Sequence, residues 1–380
     1  MSNPNNKHYD LVIVGGGIVG LAHALAAASR GLGVAVFERH PKPCGASARN
    51  FGMLWPIGQP PGKIRERALC SMKTWQQLFT EAGVWNDPCG SLLLARHPDE
   101  LAVLEEFFTT AGERGYDCDL LSPQEVTTSF PATRSAAPLG GLLSRQETLV
   151  EPEQALARIT SFLEESFAVE FYFDTEVLTA DAPLVETSRG RFTADRVLVC
   201  SGADFETLFP DVFKESGIIR CKLQMMQTSP QPPGWKLGAM ITDSLAFRSY
   251  PVLQKCESYS PMQERILRNH EDLDRLGITV FAAQNSKGEI IAGDSHHYAA
   301  NPPLEDDPGI DGKISEYLHA MLEIPRPEIS TRWSAVYPAH PHRSELVEDA
   351  TDSARIALVC GGNGMTTAFG LAQEVVEDWY

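Results

Sequence analysis

Three glycines, Gly15, Gly17 and Gly20, followed by the acid Glu38, form the part of this sequence with the clearest chemical purpose. In the spacing Gly-x-Gly-x-x-Gly the first glycine permits a tight turn, the second lets backbone approach a pyrophosphate, and the third lets helix and strand pack closely. A helix opening at that turn, here with Ile18 and Val19, aims its free N–H groups and positive dipole end at phosphate charge. Glu38 can accept hydrogen bonds from a ribose, with Arg39 beside it. A triplet of glycines alone is weak evidence, so the setting decides. An apolar run at 9–14 precedes the turn, a Leu/Ala-rich helical run ends at Gly31, and a second apolar run at 34–37 delivers Glu38. This is the grammar of a β-α-β dinucleotide unit.

The carboxyl-terminal end repeats that grammar. A strand-like run at 356–360 leads into Gly361-Gly362-Asn363-Gly364, and a helix runs from Met365 and Thr366 to Trp379. Both ends of the chain therefore contribute to one discontinuous nucleotide domain. Between them, helical spacing recurs at 65–83, 97–115 and 151–165. Short β-rich runs at 169–173, 176–178, 191–193 and 196–200 suit added strands of that domain. After a proline-rich break at 229–234, strand-like runs from 246 to 295 flank a helical segment at 261–275. That pattern predicts a separate antiparallel sheet able to cover a ligand.

With 380 residues the chain can build two or three domains' worth of core. Acids outnumber bases 50 to 32, for a formal charge of −18. That balance selects against nucleic acid and anionic membranes, and any anionic substrate needs a local Arg or Lys. No basic segment precedes the first apolar run, so no signal peptide is expected. No uninterrupted apolar stretch reaches about 18 residues, so no membrane span is expected. Eight cysteines without a Cys-x-x-Cys pair read as reduced thiols of a cytoplasmic protein, with neither a disulfide framework nor a metal site.

Together these features resemble the D-amino-acid oxidase family of FAD-dependent flavoproteins, which includes glycine oxidase and sarcosine oxidase. Four segments carry the resemblance: the Gly15 to Gly20 fingerprint, the loop from Gly45 to Met53, the run Leu198-Val-Cys-Ser201-Gly202-Ala203, and the turn from Gly361 to Thr366. The resemblance implies that Ala46, Ser47, Arg49, Asn50, Phe51 and Gly52 pass along the flavin pyrophosphate and ribityl chain. It implies that Ser201 and Gly202 lie under the cofactor and that backbone at Val177 binds adenine. Gly361, Gly362, Asn363, Gly364, Met365 and Thr366 would point a helix start at the flavin pyrimidine edge, where N–H groups stabilise the negative charge of the reduced ring. Family members that hold FAD through cysteine do so in a region matching 332–343, which here has none, so noncovalent FAD is expected. The implied architecture is α/β. It comprises a Rossmann-like FAD-binding domain from 1–75, 145–212 and 330–380, with an antiparallel α+β substrate domain from 76–144 and 213–329.

On the substrate side, Arg248-Ser-Tyr250-Pro251, Gly293-Asp294-Ser295-His296 and Arg332-Trp333-Ser-Ala-Val336-Tyr337 resemble a branch of the family associated with aminophosphonate breakdown. The implied substrate is a small zwitterionic amine. A guanidinium such as Arg332 or Arg49 can grip its carboxylate or phosphonate in a bidentate fork. Tyr250, His296 and Tyr337 can add hydrogen bonds, whereas His297 should point to the opposite face if the strand continues. Sarcosine oxidase relatives carry a lysine on the strand before the glycine matched by Gly293, where its charge assists oxygen reduction. This chain reads Glu289-Ile-Ile-Ala292 there, leaving His296 or Lys222 as substitutes and the acceptor as oxygen or another oxidant. The run Gly293-Asp294-Ser-His-His297 also resembles the Gly-Asp motif of flavin hydroxylases, an alternative alongside a non-catalytic flavin subunit of a dehydrogenase complex. The sequence leaves the oligomeric state open.

Overall fold

Leu11, Val12 and Ile13 are apolar in succession, so the strand that carries them, His8–Val14, can be satisfied only with both faces covered. In the computed structural model, which describes residues 7–380, that strand lies inside a parallel sheet. Val34–Phe37 and Gly190–Val199 flank it, Glu170–Tyr172 adds outside the former, and Ala354–Val359 adds outside the latter. The hairpin of Val177–Asp181 and Leu184–Thr187 joins Gly190–Val199 antiparallel, and Glu345–Asp349 closes the far edge. The runs 191–193 and 196–200, separate in the sequence reading, form one ten-residue strand. Its first half pairs with the hairpin and its second half with Ala354–Val359.

The helix Ile18–Ala28 is apolar on nearly every side and buried at every position except Val19. It shares one core with Lys63–Glu81, Pro152–Phe167 and Gly364–Trp379, so both chain ends build the same layer. The three central helices of the sequence reading are present as Lys63–Glu81, Pro98–Ala111 and Pro152–Phe167.

A second, nine-stranded sheet is built around Ile219–Thr228. Ile329–Ala339 pairs with that strand along its length, and Ile290–Gly293 and His297–Ala299 pair on the other side. The strand Ile329–Ala339, which the sequence reading put at the start of the last nucleotide segment, therefore sits in this second sheet. The sheet continues antiparallel to Cys118–Leu121, apart from one parallel pairing between Met240–Thr242 and Ser91–Ala95. Residues 244–254 are short helical turns, Ser244–Phe247 and Pro251–Gln254, where strand-like runs were expected. The buried run Leu245-Ala246-Phe247 is too short for its periodicity to separate the two.

Alternation along Ile219–Thr228 divides its side chains between two environments. Met226 joins the core under the helix Pro308–Met321, and Gln224 Nε2 donates to Asp311 Oδ1 of that helix at 2.9 Å. Cys221, Leu223 and Met225 face the other way, where they pack with Ala335, Tyr337, Ala46 and Phe51. That second face looks toward the nucleotide domain. Among the described residues no helix is long and apolar enough to cross a membrane. All eight cysteines are free thiols.

Candidate active site

Each glycine of the first turn has a measurable reason to be glycine. Gly15 has φ +108°, and a Cβ there would stand 2.4 Å from the Cys200 carbonyl oxygen. A Cβ on Gly20 would stand 1.9 Å from the Gly15 carbonyl oxygen, so this residue sets how closely helix and strand approach. At Gly17 a Cβ would meet Ser47 Oγ at 3.0 Å, because Ser47 leans over the helix start and accepts the Ile18 N–H at 3.0 Å. Glu38 accepts the Gly16 N–H at 2.9 Å through Oε2 and the His40 N–H at 3.0 Å through Oε1. These two bonds hold the acid at the rim of the glycine turn.

A cavity of about 360 Å³ extends from this turn to the second sheet. Gly15, Gly17, Ile18, Val19, Glu38 and Arg39 line one part, and Ala46, Ser47, Arg49, Asn50 and Phe51 form a wall. Val177, Ser201 and Gly202 contribute on the nucleotide side; Gly361, Gly362, Gly364 and Met365 bring the second glycine turn to the same space. Gly361 has φ +116° and donates its N–H to the Pro338 carbonyl at 2.7 Å, which ties this turn to the second sheet. The Asn363 carbonyl accepts the N–H groups of Thr366 and Thr367, whereas those of Gly364 and Met365 have no acceptor among the described residues. Two helix starts thus open on one cavity, one with an acid beside it and both built on glycine. This arrangement fits a long dinucleotide such as FAD, with N–H groups for charge at each end.

At the sheet end the cavity is lined by Tyr337, His296, Asp294, Leu223, Met225 and Ala335. The Tyr337 hydroxyl lies 4.0 Å from where a Gly362 Cβ would be. Burial, then neighbouring Cys221 and Tyr298, pushes this phenol well above its ordinary 10, so it stays protonated. His296 Nδ1 lies 3.1 Å from the Gly277 carbonyl. A carbonyl only accepts, so the neutral ring carries its proton on Nδ1 and keeps Nε2 as an acceptor. Of the cavity's guanidiniums, Arg39 pairs with Asp204 at 2.5 Å, and Arg49 donates to the Ser334 carbonyl at 3.3 Å.

Several residues singled out from sequence lie outside the cavity wall. Asn363 Oδ1 accepts from Gln59 Nε2 at 3.3 Å, and Thr366 Oγ1 accepts the Trp55 N–H at 3.0 Å. Both tether the 55–59 segment to the second helix start. Gly52, with φ +79°, packs its α-carbon against the Val150 carbonyl, where a Cβ would stand 1.9 Å away. Tyr250 is buried in an aromatic cluster with Trp55 and Phe281. Arg332 and Lys222 fall on the helix side of the second sheet. Arg332 Nε lies 3.3 Å from Asp311 Oδ2, and Lys222 Nζ donates to the carbonyls of Leu304 and Glu305 and pairs with Asp306 at 2.8 Å. His297, exposed, pairs with Lys222 across the strands, one residue out of phase with His296. Leu223, Met225, Ala335 and Asp294 were not singled out as site residues. Period-two alternation from Cys221 marks the first two, and Asp294 lies inside the Gly293 to His296 run.

A model of the DAO family, described as FAD dependent oxidoreductase, matches residues 10–378. One of the subunits of the anaerobic glycerol-3-phosphate dehydrogenase of Escherichia coli (strain K12) is 28% identical over 152 residues. The match covers 40% of this chain and 28% of that protein, so this chain spans little more than a quarter of that relative. Among solved structures, glycine oxidase from Geobacillus kaustophilus superposes with a TM-score of 0.76 at 19% identity, covering 98% of this chain and 94% of that one. L-proline dehydrogenase from P. horikoshii gives a TM-score of 0.75 at 18% identity, covering 99% and 93%. At such identities the likeness establishes the fold.

Proposed function

The chain belongs to the FAD dependent oxidoreductase family, and from that premise we propose that it oxidises a small amine or amino acid at the α-carbon. The observation that carries this reading is a single cavity shared by both glycine-built helix starts and by the Tyr337 and His296 face of the second sheet. FAD, when bound, supplies a two-electron acceptor for hydride. This chain's own residues have the remaining tasks. Glu38 would hold the ribose end, and the N–H groups at Gly364 and Met365 would offer donors to negative charge at the other end. Arg49 grips an acid group on the substrate, and Tyr337 donates a hydrogen bond that orients it. His296 Nε2 takes a proton from the incoming ammonium, leaving the neutral amine whose α-hydrogen can depart as hydride. Water then hydrolyses the resulting imine to a carbonyl compound and an amine. Positioning supplies most of the rate.

Oxygen or another oxidant takes the electrons in the second half of the cycle. No lysine lines the cavity among the described residues, which leaves the Arg49 guanidinium, tied to the Ser334 carbonyl of the second sheet, as the cation for that step. A narrower form of the reading makes the substrate an aminophosphonate or its N-methyl derivative. Anaerobic absorption spectra with glycine, sarcosine, D-amino acids and N-methylated aminoethylphosphonate test both levels. Bleaching by one of them supports amine oxidation and identifies the class; a flavin unchanged by all of them rejects it. Recolouring in air marks an oxidase, and persistent bleaching marks a dehydrogenase.

A further inference from the structure

Asp294 lies just past the strand Ile290–Gly293 and lines the cavity while only 7% exposed. Thr279 fixes it twice: its N–H donates to the Asp294 carbonyl at 2.8 Å, and its hydroxyl donates to Oδ1 at 2.7 Å. Oδ2 has no donor among the described residues, and neither Lys nor Arg pairs with this carboxylate. Its one basic neighbour is His296, with Nδ1 at 3.7 Å from Oδ1, and that nitrogen is already directed at the Gly277 carbonyl. A buried carboxylate without a cation is costly, and such groups persist where a ligand supplies the missing charge. The other titratable groups nearby are Tyr250, Tyr298, Tyr337 and Cys221. At the buried Tyr250, Tyr337 and Cys221 burial is the largest cause of a raised pKa, and the Asp294 charge raises it further, so these stay neutral, as does the exposed phenol of Tyr298. None can serve as the counter-ion.

Resting on the amine reading above, we propose that Asp294 is the anchor for the substrate's ammonium group, so that the ligand class is a protonated amine docked with its cationic end against the second sheet. The opposite polarity sits at Arg49, so a zwitterion lies with its acid toward Arg49 and its nitrogen toward Asp294. Once docked, the ammonium passes one proton to His296 Nε2: the N–H bond breaks, the amine keeps the electron pair, and the imidazolium later releases the proton to water. Asp294 therefore selects the charged form that predominates in solution, and His296 converts it to the reactive one.

Asp294→Asn holoenzyme, titrated with ligands while the flavin absorption band is followed, tests this assignment. Wild type should bind ethylammonium at least about tenfold more tightly than ethanol, one desolvated charge pair being ample for that. Asp294→Asn should lose that preference and raise KM for the amine that bleaches wild type by at least about tenfold, while FAD content holds and acetate affinity does not fall. Asp294→Glu, which keeps the charge, should recover part of the preference. Unchanged amine affinity in Asp294→Asn overturns the assignment, as does a wild type indifferent between ethylammonium and ethanol. Loss of FAD from both variants together with that indifference assigns Asp294 to the cofactor instead. If no amine bleaches wild type, the amine reading falls and this inference with it. If an amine does bleach it but Asp294→Asn keeps its KM, only the inference falls.

Discussion

His23 gives the structure a measurable sensitivity to acid. It is fully buried in the helix Ile18–Ala28, its Nδ1 lies 2.7 Å from the Val19 carbonyl, and its Nε2 has no partner among the described residues. Burial pushes its pKa down from 6.5 to about 4. For a base depressed in the folded state, its contribution to stability is complete above the unfolded pKa of 6.5. That contribution drains away as pH falls toward 4, because only the unfolded chain can take up the proton easily. A shift of about 2.5 units is worth ~3.4 kcal/mol across the whole window, of which about 2 kcal/mol is gone by about pH 5. His23→Leu keeps the volume roughly constant, removes the titration, and eliminates the unpartnered nitrogen. Denaturant unfolding of both proteins with saturating FAD, at about pH 7.5 and about pH 5, isolates this group because every other titration is shared. The stability difference should move by about 2 kcal/mol in favour of His23→Leu at the lower pH. An equal difference at both pH values would show that His23 is not neutral-locked and would refute the argument.

Gly20→Ala places a methyl group 1.9 Å from the Gly15 carbonyl oxygen. The turn must open, so stability should fall by about 1–3 kcal/mol and FAD content should drop with it, measured by melting and by flavin absorbance. Glu38→Ala leaves the Gly16 and His40 N–H groups without their acceptor; apoprotein titrated with FAD should show affinity weakened by about tenfold to a hundredfold. Arg49→Lys loses the forked donor at the cavity wall, so KM for an acid-bearing amine should rise by about tenfold with FAD content intact. Arg332→Lys, on the far face beside Asp311 and 54% exposed, should leave KM within about twofold, and a large rise would place that guanidinium in the cavity after all.

Much of the nucleotide domain was legible because its determinants are local. Gly15, Gly17, Gly20 and Glu38 act within one β-α-β unit, and Gly361 to Gly364 act within one strand-turn-helix, so spacing alone encodes their geometry. The substrate side was less legible for a physical reason. Ile219–Thr228 is covered on both faces, by Pro308–Met321 on one and by the residues around the cavity on the other. Apolar-polar alternation therefore does not say which set faces the ligand, and one residue of phase exchanges Arg332 for Trp333. Asp294 was visible as part of a motif, but its distinguishing property, a carboxylate oxygen without a donor among the described residues, exists only once Thr279, Gly277 and His296 are brought around it. Asn363 and Thr366 show the converse. Sequence groups them with their glycine neighbours, whereas the fold uses their side chains to hold Gln59 and Trp55.

Single-turnover flavin reduction, followed anaerobically with an amine and its α-deuterated form, tests the proposed chemistry most directly. Transfer of the α-hydrogen as hydride requires bleaching by both forms, clearly slower with deuterium, and one carbonyl product per flavin reduced. A flavin that stays oxidised with every small amine, or one that bleaches without forming a carbonyl compound, would contradict it.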